Sequence, residues 1–197
     1  MKFLLRSSRA AVFALAILLS ASATAGAQNP ASATLGSHGF DISIEELCDL
    51  LSLQRSVRLD IPAKIEADWS ERLQKLKVRD REKSENRYAY ALDTQRGRQI
   101  IAIRGTANLA NALLDLESWK DLSPVLGIKL HHGFEKAASI VFEDARQFLD
   151  FKLPVIVCGH SLGAAEAIIL GMLLSKAGYR VEKILASGPP KVTDAKG

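Results

Sequence analysis

The pentapeptide Gly159-His160-Ser161-Leu162-Gly163 constrains this chain more than any other stretch. The apolar run Pro154 to Cys158 leads into it, and Ala164 to Ala177 follows with a helical composition. The order is strand, sharp turn, helix. Glycines two residues either side of a serine belong to a turn so tight that any side chain there would strike the neighbouring strand or helix. Such a turn holds the Ser161 hydroxyl clear of the backbone at the amino end of a helix. The free N–H groups and the dipole of that helix favour negative charge. This is the build of a nucleophile elbow.

The first 27 residues stand apart from the fold. Lys2, Arg6 and Arg9 make a basic start, Ala10 to Leu19 is apolar, and Ala25-Gly26-Ala27 fits a cleavage site before Gln28. The pattern reads as a signal peptide for export, secreted or periplasmic, cleaved near Ala27, with an uncleaved anchor as the alternative. The apolar run is too short to span a bilayer, and no transmembrane segment is expected in the mature chain. The whole chain has 26 basic and 22 acidic residues. The leader holds three of the basic ones, so the remainder is nearly neutral and nothing in its charge argues for nucleic-acid binding. Residues 28–40 read as a flexible leader, and 41–197 as one domain large enough for a real core. Cys48 and Cys158 read as unpaired core residues, with a disulfide between them as the alternative open to an exported chain.

Along the domain, Ile42 to Val57 reads as an amphipathic helix with Ser43-x-x-Glu46 as a capping box. Trp69 to Val78 is ambiguous between strand and short helix, and the charge-dense Lys77 to Arg87 reads as a solvated turn. Arg87 to Leu92 alternates as a strand, Gln95 to Gln99 is a turn, and Ile100 to Ile103 is a buried strand. A long helix is expected over Phe134 to Phe151. Strand 154–158, helix 162–177 and strand 181–187 follow. Strands alternating with helices imply an α/β fold whose parallel sheet is covered on both faces.

A serine hydroxyl becomes a nucleophile only with a base to take its proton, a carboxylate to orient that base, and donors for the oxyanion that forms. The elbow supplies one donor, the backbone N–H of Leu162. The candidate for the second is Arg104-Gly105-Thr106, directly after the strand ending at Ile103. The glycine permits a tight exit, and Thr106 offers an N–H and a hydroxyl.

Five motifs in register, across roughly residues 68 to 194, resemble the class 3 (fungal-type) lipases. They are Ile103-Arg104-Gly105-Thr106, Asp115-Leu116, His131-x-Gly133-Phe134, the elbow, and Gly188-Pro189-Pro190-Lys191-Val192. The resemblance implies an α/β-hydrolase-like, mostly parallel sheet with flanking helices, the C-terminal part of the fold missing. It implies a serine ester hydrolase acting on triacylglycerol or other glycerolipid esters through an acyl-enzyme at Ser161. Thr106 and Leu162 would form the oxyanion hole. Asn108 to Leu116 would be a lid that moves at a lipid–water interface, with Leu109, Leu113, Leu114, Leu116 and Trp119 as its apolar surface. Ordinary core packing is the competing reading of those leucines.

The four histidines divide differently. His160, inside the elbow, reads as a packed or hydrogen-bonded support, His131 as the family's structural histidine, His132 as a surface neighbour, and His38 as part of the loose leader. Glu166 departs from the small apolar residues usual behind the serine and reads as a surface or paired side chain. In hydrolases of this fold the triad runs serine, acid, histidine. Asp194 matches the residue closing the Gly-x-Pro-Arg-Val-Gly motif rather than the triad acid, so no triad acid or base is assigned. Weak or no hydrolysis is therefore expected from residues 28–197, and a catalytically inactive lipid- or partner-binding remnant is the alternative. No metal-ligand spacing or nucleotide fingerprint occurs, and no cofactor is expected.

Overall fold

The computed structural model describes residues 42–81, 86–105 and 120–193. The leader at 1–40, including His38, lies outside the described residues, as do Thr106, Asn108 to Leu116, Trp119 and Asp194. Two compact units divide the chain, Met1–Arg55 and Ser56–Gly197. In the first unit, helix α1 (Ile44–Leu59) opens with the capping contact the sequence implies. The Ser43 hydroxyl accepts from Glu46 N–H at 3.1 Å, and the Ser43 carbonyl accepts from Leu47 N–H at 2.9 Å.

The second unit, from Ser56, takes in the last residues of α1 and then α2 (Pro62–Trp69), followed by three consecutive strands, β1 (Gln74–Arg81), β2 (Asn86–Asp93) and β3 (Arg98–Ile103). A short hairpin, β4 (Lys120–Leu122) and β5 (Lys129–His131), leads into α3 (His132–Ala145). Then come β6 (Val155–His160), α4 (Leu162–Lys176) and β7 (Val181–Ser187). The main sheet has the order β1-β2-β3-β6-β7. Its first two pairs are antiparallel and its last two parallel. The parallel part is the strand–helix–strand alternation read from the sequence. The antiparallel part follows from connections at 82–85 and 94–97, far too short for the dozen or so residues of a crossover.

Several boundaries differ from the sequence reading. The ambiguous stretch is two elements, since Trp69 closes α2 and β1 starts at Gln74. Residues 77–81 and 86–87 of the charged segment lie in β1 and β2 rather than in a solvated turn. Exposed Lys75 and Lys77 flank buried Leu76, as strand alternation requires. Asp80 sits opposite Arg87 in the ladder and accepts from its Nε at 2.7 Å, so opposite charges hold the pairing. The turn after β2 is Thr94 to Gly97 rather than 95–99. Gly97 has φ 61°, and the strand resumes at Arg98 because Asp93 lies opposite and accepts from Arg98 Nε at 3.2 Å.

Helix α3 stops at Ala145, six residues before the expected end. The reason is tertiary. The Gln99 side chain, fully buried on β3, donates to the Asp150 and Leu153 carbonyls at 2.9 and 3.2 Å and accepts from Asp150 N–H at 2.8 Å. Those groups satisfy the backbone of a turn instead of continuing a helix.

Every residue of β3, and all of β6 but His160, is buried, so both faces of the sheet's centre are covered. On one face Tyr88, Ile101, Ile103, Val155 and Val157 form a continuous core with Phe134, Ala138 and Val141 of α3 and Leu162, Leu170 and Leu174 of α4. Gly171 lets α4 lie close on β7, because a Cβ there would overlap the Ile184 side chain. The register sets Ile103 beside Gly159 and His160 beside Ser187. The carboxyl ends of the three parallel strands therefore meet at one edge, which is where such sheets carry their sites.

Candidate active site

Ser161 sits between the last residue of β6 and the first of α4, with φ 58° and ψ −123°. That backbone region is strained for any residue but glycine, and the surroundings enforce it. Gly159 and Gly163 pack directly on each other across the turn, where a Cβ on Gly159 would overlap the Gly163 carbonyl group. A Cβ on Gly163 would lie 2.7 Å from the Ile103 carbonyl oxygen and 2.8 Å from Gly105 N. Both glycines of the pentapeptide are thus demanded by backbone neighbours.

The turn is also tied from the side. Ser161 N–H donates to the Ser187 carbonyl at 2.9 Å, and the Ser187 hydroxyl donates to the Gly159 carbonyl at 3.2 Å. Sequence reasoning passed over Ser187. Its signal is the parallel register, which becomes readable only once β6 and β7 are known to be neighbours. Among the described residues, neither Leu162 N–H nor Gly163 N–H has a carbonyl acceptor, and no acidic residue lies in the first turn of α4. Two unspent donors and the positive helix end therefore surround the serine.

The segment leaving β3 closes against this turn. Gly105 is buried, and a Cβ on it would stand 2.6 Å from the His160 carbonyl oxygen and 3.5 Å from Ser161 Cβ. The residue immediately before Thr106 therefore touches the elbow, while Thr106 itself lies outside the described residues.

The hydroxyl of Ser161 has no hydrogen-bond partner among the described residues. His160 does not serve as the packed or hydrogen-bonded support expected of it, because its side chain is exposed and unbonded there. It directs its carbonyl toward Gly105 while its side chain leaves the sheet. His132 lies at the surface, with Nδ1 4.0 Å from a carboxylate oxygen of Asp121. His131 behaves as a structural residue. Its ring lies 4.4 Å from that of Phe134, and both ring nitrogens are buried without a partner among the described residues. Its backbone N–H donates to the Val192 carbonyl at 3.1 Å, and Thr193 Oγ1 donates to the Lys129 carbonyl at 2.6 Å. The Gly188-Pro-Pro-Lys-Val192 segment therefore returns from β7 to brace β5, a role no spacing in the sequence disclosed.

Glu166 departs from expectation, being neither at the surface nor fully paired. It is 5% exposed, and among the described residues its Oε2 accepts no hydrogen bond. Burial raises its pKa to about 8, opposed in part by the positive charge of Arg104. Neither cysteine is in a disulfide; Cys158 is buried, as expected of a core residue, whereas Cys48 is only half-buried. Among the described residues no His, Cys, Asp or Glu cluster has a metal-binding arrangement, and no helix is long and apolar enough to cross a membrane.

Comparison with known proteins follows the same geometry. A family model described as lipase (class 3) matches residues 100–196. Lipases of Rhizopus niveus and Rhizopus oryzae are each 32% identical over 118 residues, covering 54% of this chain and 30% of theirs. The solved Rhizomucor miehei lipase propeptide complex superposes with a TM-score of 0.57 at 24% identity, over 78% of this chain and 56% of that one. The lipase of Rhizopus microsporus var. chinensis gives a TM-score of 0.57 at 22% identity, over 87% and 70%. The chain spans under a third of the length of these curated relatives. The solved structures share with it the α/β-hydrolase fold, here a mixed sheet with flanking helices.

Proposed function

The chain belongs to the class 3 lipase family, matched over residues 100–196, and from that premise we propose that Ser161 is the nucleophile of a glycerolipid ester hydrolase. On family grounds the proposed activity is that of a lipase-type carboxylic ester hydrolase. The glycerolipid substrate and the residue roles are our reading. The observation that carries it is the strained backbone of Ser161 between β6 and α4, beside two unspent N–H donors.

Attack by Ser161 Oγ on an ester carbonyl places negative charge on the former carbonyl oxygen. The Leu162 N–H and the positive end of α4 lie where that charge develops. Thr106, following the elbow-touching Gly105, is the proposed second donor. Collapse of the tetrahedral species expels the alcohol and leaves an acyl-serine, which water then hydrolyses. A base must take the Ser161 proton. Among the described residues none bonds to Oγ, and without such a base the serine is a poor nucleophile. We also propose that the substrate is met at a lipid–water interface, after export directed by the leader ending near Ala27.

The test is release of fatty acid from a tributyrin emulsion by the full chain, beside covalent labelling with a fluorophosphonate probe. Labelling and hydrolysis that disappear in Ser161→Ala support the reading. Absence of both, together with vesicle binding unchanged in Ser161→Ala, would replace it with the lipid-binding remnant.

A further inference from the structure

Glu166 lies on α4 five residues after Ser161, about 7.5 Å along the helix axis. Its side chain is almost wholly enclosed, and among the described residues Oε2 meets no donor. A buried carboxyl without a full set of donors is costly to ionise, and when ionised its charge is poorly screened. The charge would then sit just behind the end of α4 whose free N–H groups face Ser161. Among the described residues, Arg104 is the one charged group whose field acts on Glu166. Helix α3 and strands β3, β6 and β7 also pack on α4, and of their ionisable groups His132, Glu135, Lys136, Glu143, Asp144, Arg98, His160, Glu182 and Lys183 none is a cause of the Glu166 shift. Arg104 belongs to the segment leaving β3, where Gly105 meets the elbow.

We propose that Glu166 is a positioning residue for the oxyanion side of the elbow, and that its proton sets whether the amino end of α4 can stabilise negative charge at Ser161. Protonated, it leaves the helix end electropositive. Ionised, it places a like charge behind the developing oxyanion. Acylation of Ser161 is therefore favoured on the neutral form and weakened on the alkaline side. This rests on the hydrolase reading for its consequence, while the titration itself does not.

The experiment follows the backbone amide resonances of Leu162 and Gly163 between pH 6 and 10 in the full chain and in Glu166→Gln. A titration with a midpoint near 8 in the wild type, absent in Glu166→Gln and moved to higher pH in Arg104→Gln, is expected. An unchanged titration in Glu166→Gln, or none in the wild type, overturns the proposal. In parallel, fluorophosphonate labelling of Ser161 is compared at pH 6.5 and 9.5. The ratio of wild-type to Glu166→Gln rates should fall roughly tenfold across that range, and a flat ratio overturns the assigned role. If neither protein is labelled at any pH, the hydrolase reading fails, and with it the role in acylation. The amide titration still decides separately whether Glu166 controls the helix end.

Discussion

Adding a single methyl group at Gly163 tests how the elbow is built. Its Cβ would stand 2.7 Å from the Ile103 carbonyl oxygen, 2.8 Å from the Arg104 carbonyl carbon and 2.8 Å from Gly105 N. Ordinary contact begins near 3.4 Å, so about 0.7 Å must be found. All three neighbours are backbone atoms, and β3 is pinned by ladders to β2 and β6, so no rotamer change relieves the overlap. Overpacking of this kind costs about 1–3 kcal/mol. For a chain of this size that lowers the melting temperature by roughly 2–10 °C. The segment carrying Arg104 and Gly105 must move away from Ser161, and displacements approaching 1 Å at a reacting centre cost up to about 100-fold in rate.

Two other glycines serve as controls. Gly171→Ala meets the end of the Ile184 side chain, which can rotate, so a smaller loss is expected, with labelling of Ser161 retained. Gly178→Ala meets no atom within 4 Å but sits at φ 90°, so its cost is backbone strain of about 1–2 kcal/mol and should leave the site untouched. Denaturant unfolding and fluorophosphonate labelling, measured on all three, separate these mechanisms. A Gly163→Ala protein as stable as the wild type and labelled at the same rate would refute the close packing of β3 on α4.

Ser161→Gly should be about 1 kcal/mol more stable than Ser161→Ala by denaturant unfolding, because only glycine adopts φ 58° without strain; equal stabilities would remove the strain argument. Asp144 is buried and accepts from the Tyr88 hydroxyl at 2.6 Å and from Arg79 Nε at 3.3 Å. Asp144→Ala should cost about 3 kcal/mol by stranding that hydroxyl, and adding Tyr88→Phe should recover about 1 kcal/mol. Arg79→Ala, at a side chain 43% exposed, should cost no more than about 1 kcal/mol. Glu166 holds its proton in the folded state up to about pH 8 and in the unfolded state only up to about 4.5. Unfolding thus releases a proton within that window, and stability falls as pH rises through it, by an amount on the order of 4 kcal/mol. Below pH 4.5 both states are protonated and the dependence ends, and Glu166→Gln should flatten the melting temperature between pH 5 and 9.

The elbow was legible because its constraint is local. Gly159, Ser161 and Gly163 lie within five residues, and the clash that demands glycine arises inside one turn. The Ser43–Glu46 cap and the buried strand at Ile100 to Ile103 were legible for the same reason, being set by spacing along the chain. Glu166 could be singled out as unusual but not placed. The face of α4 it occupies is buried by elements distant in sequence, and α4 is apolar all round, so its pattern marks no solvent side. The end of α3 was misplaced because Gln99, some fifty residues earlier, takes the hydrogen bonds that would have extended the helix.

The amino-acid sequence by itself determined the family resemblance, the strand–turn–helix carrying Ser161, and the alternation that makes a parallel sheet. Each of these follows from short-range sterics or from the period of apolar residues. Tertiary structure alone decided that the sheet is mixed, that Ser187 and Gly105 brace the serine from two neighbouring strands, and that the 188–193 segment returns to hold His131. It also decided that Glu166 is buried within reach of Arg104's field. These depend on which strands lie side by side and in what register, and hydrogen bonds across a sheet join residues that share no spacing along the chain.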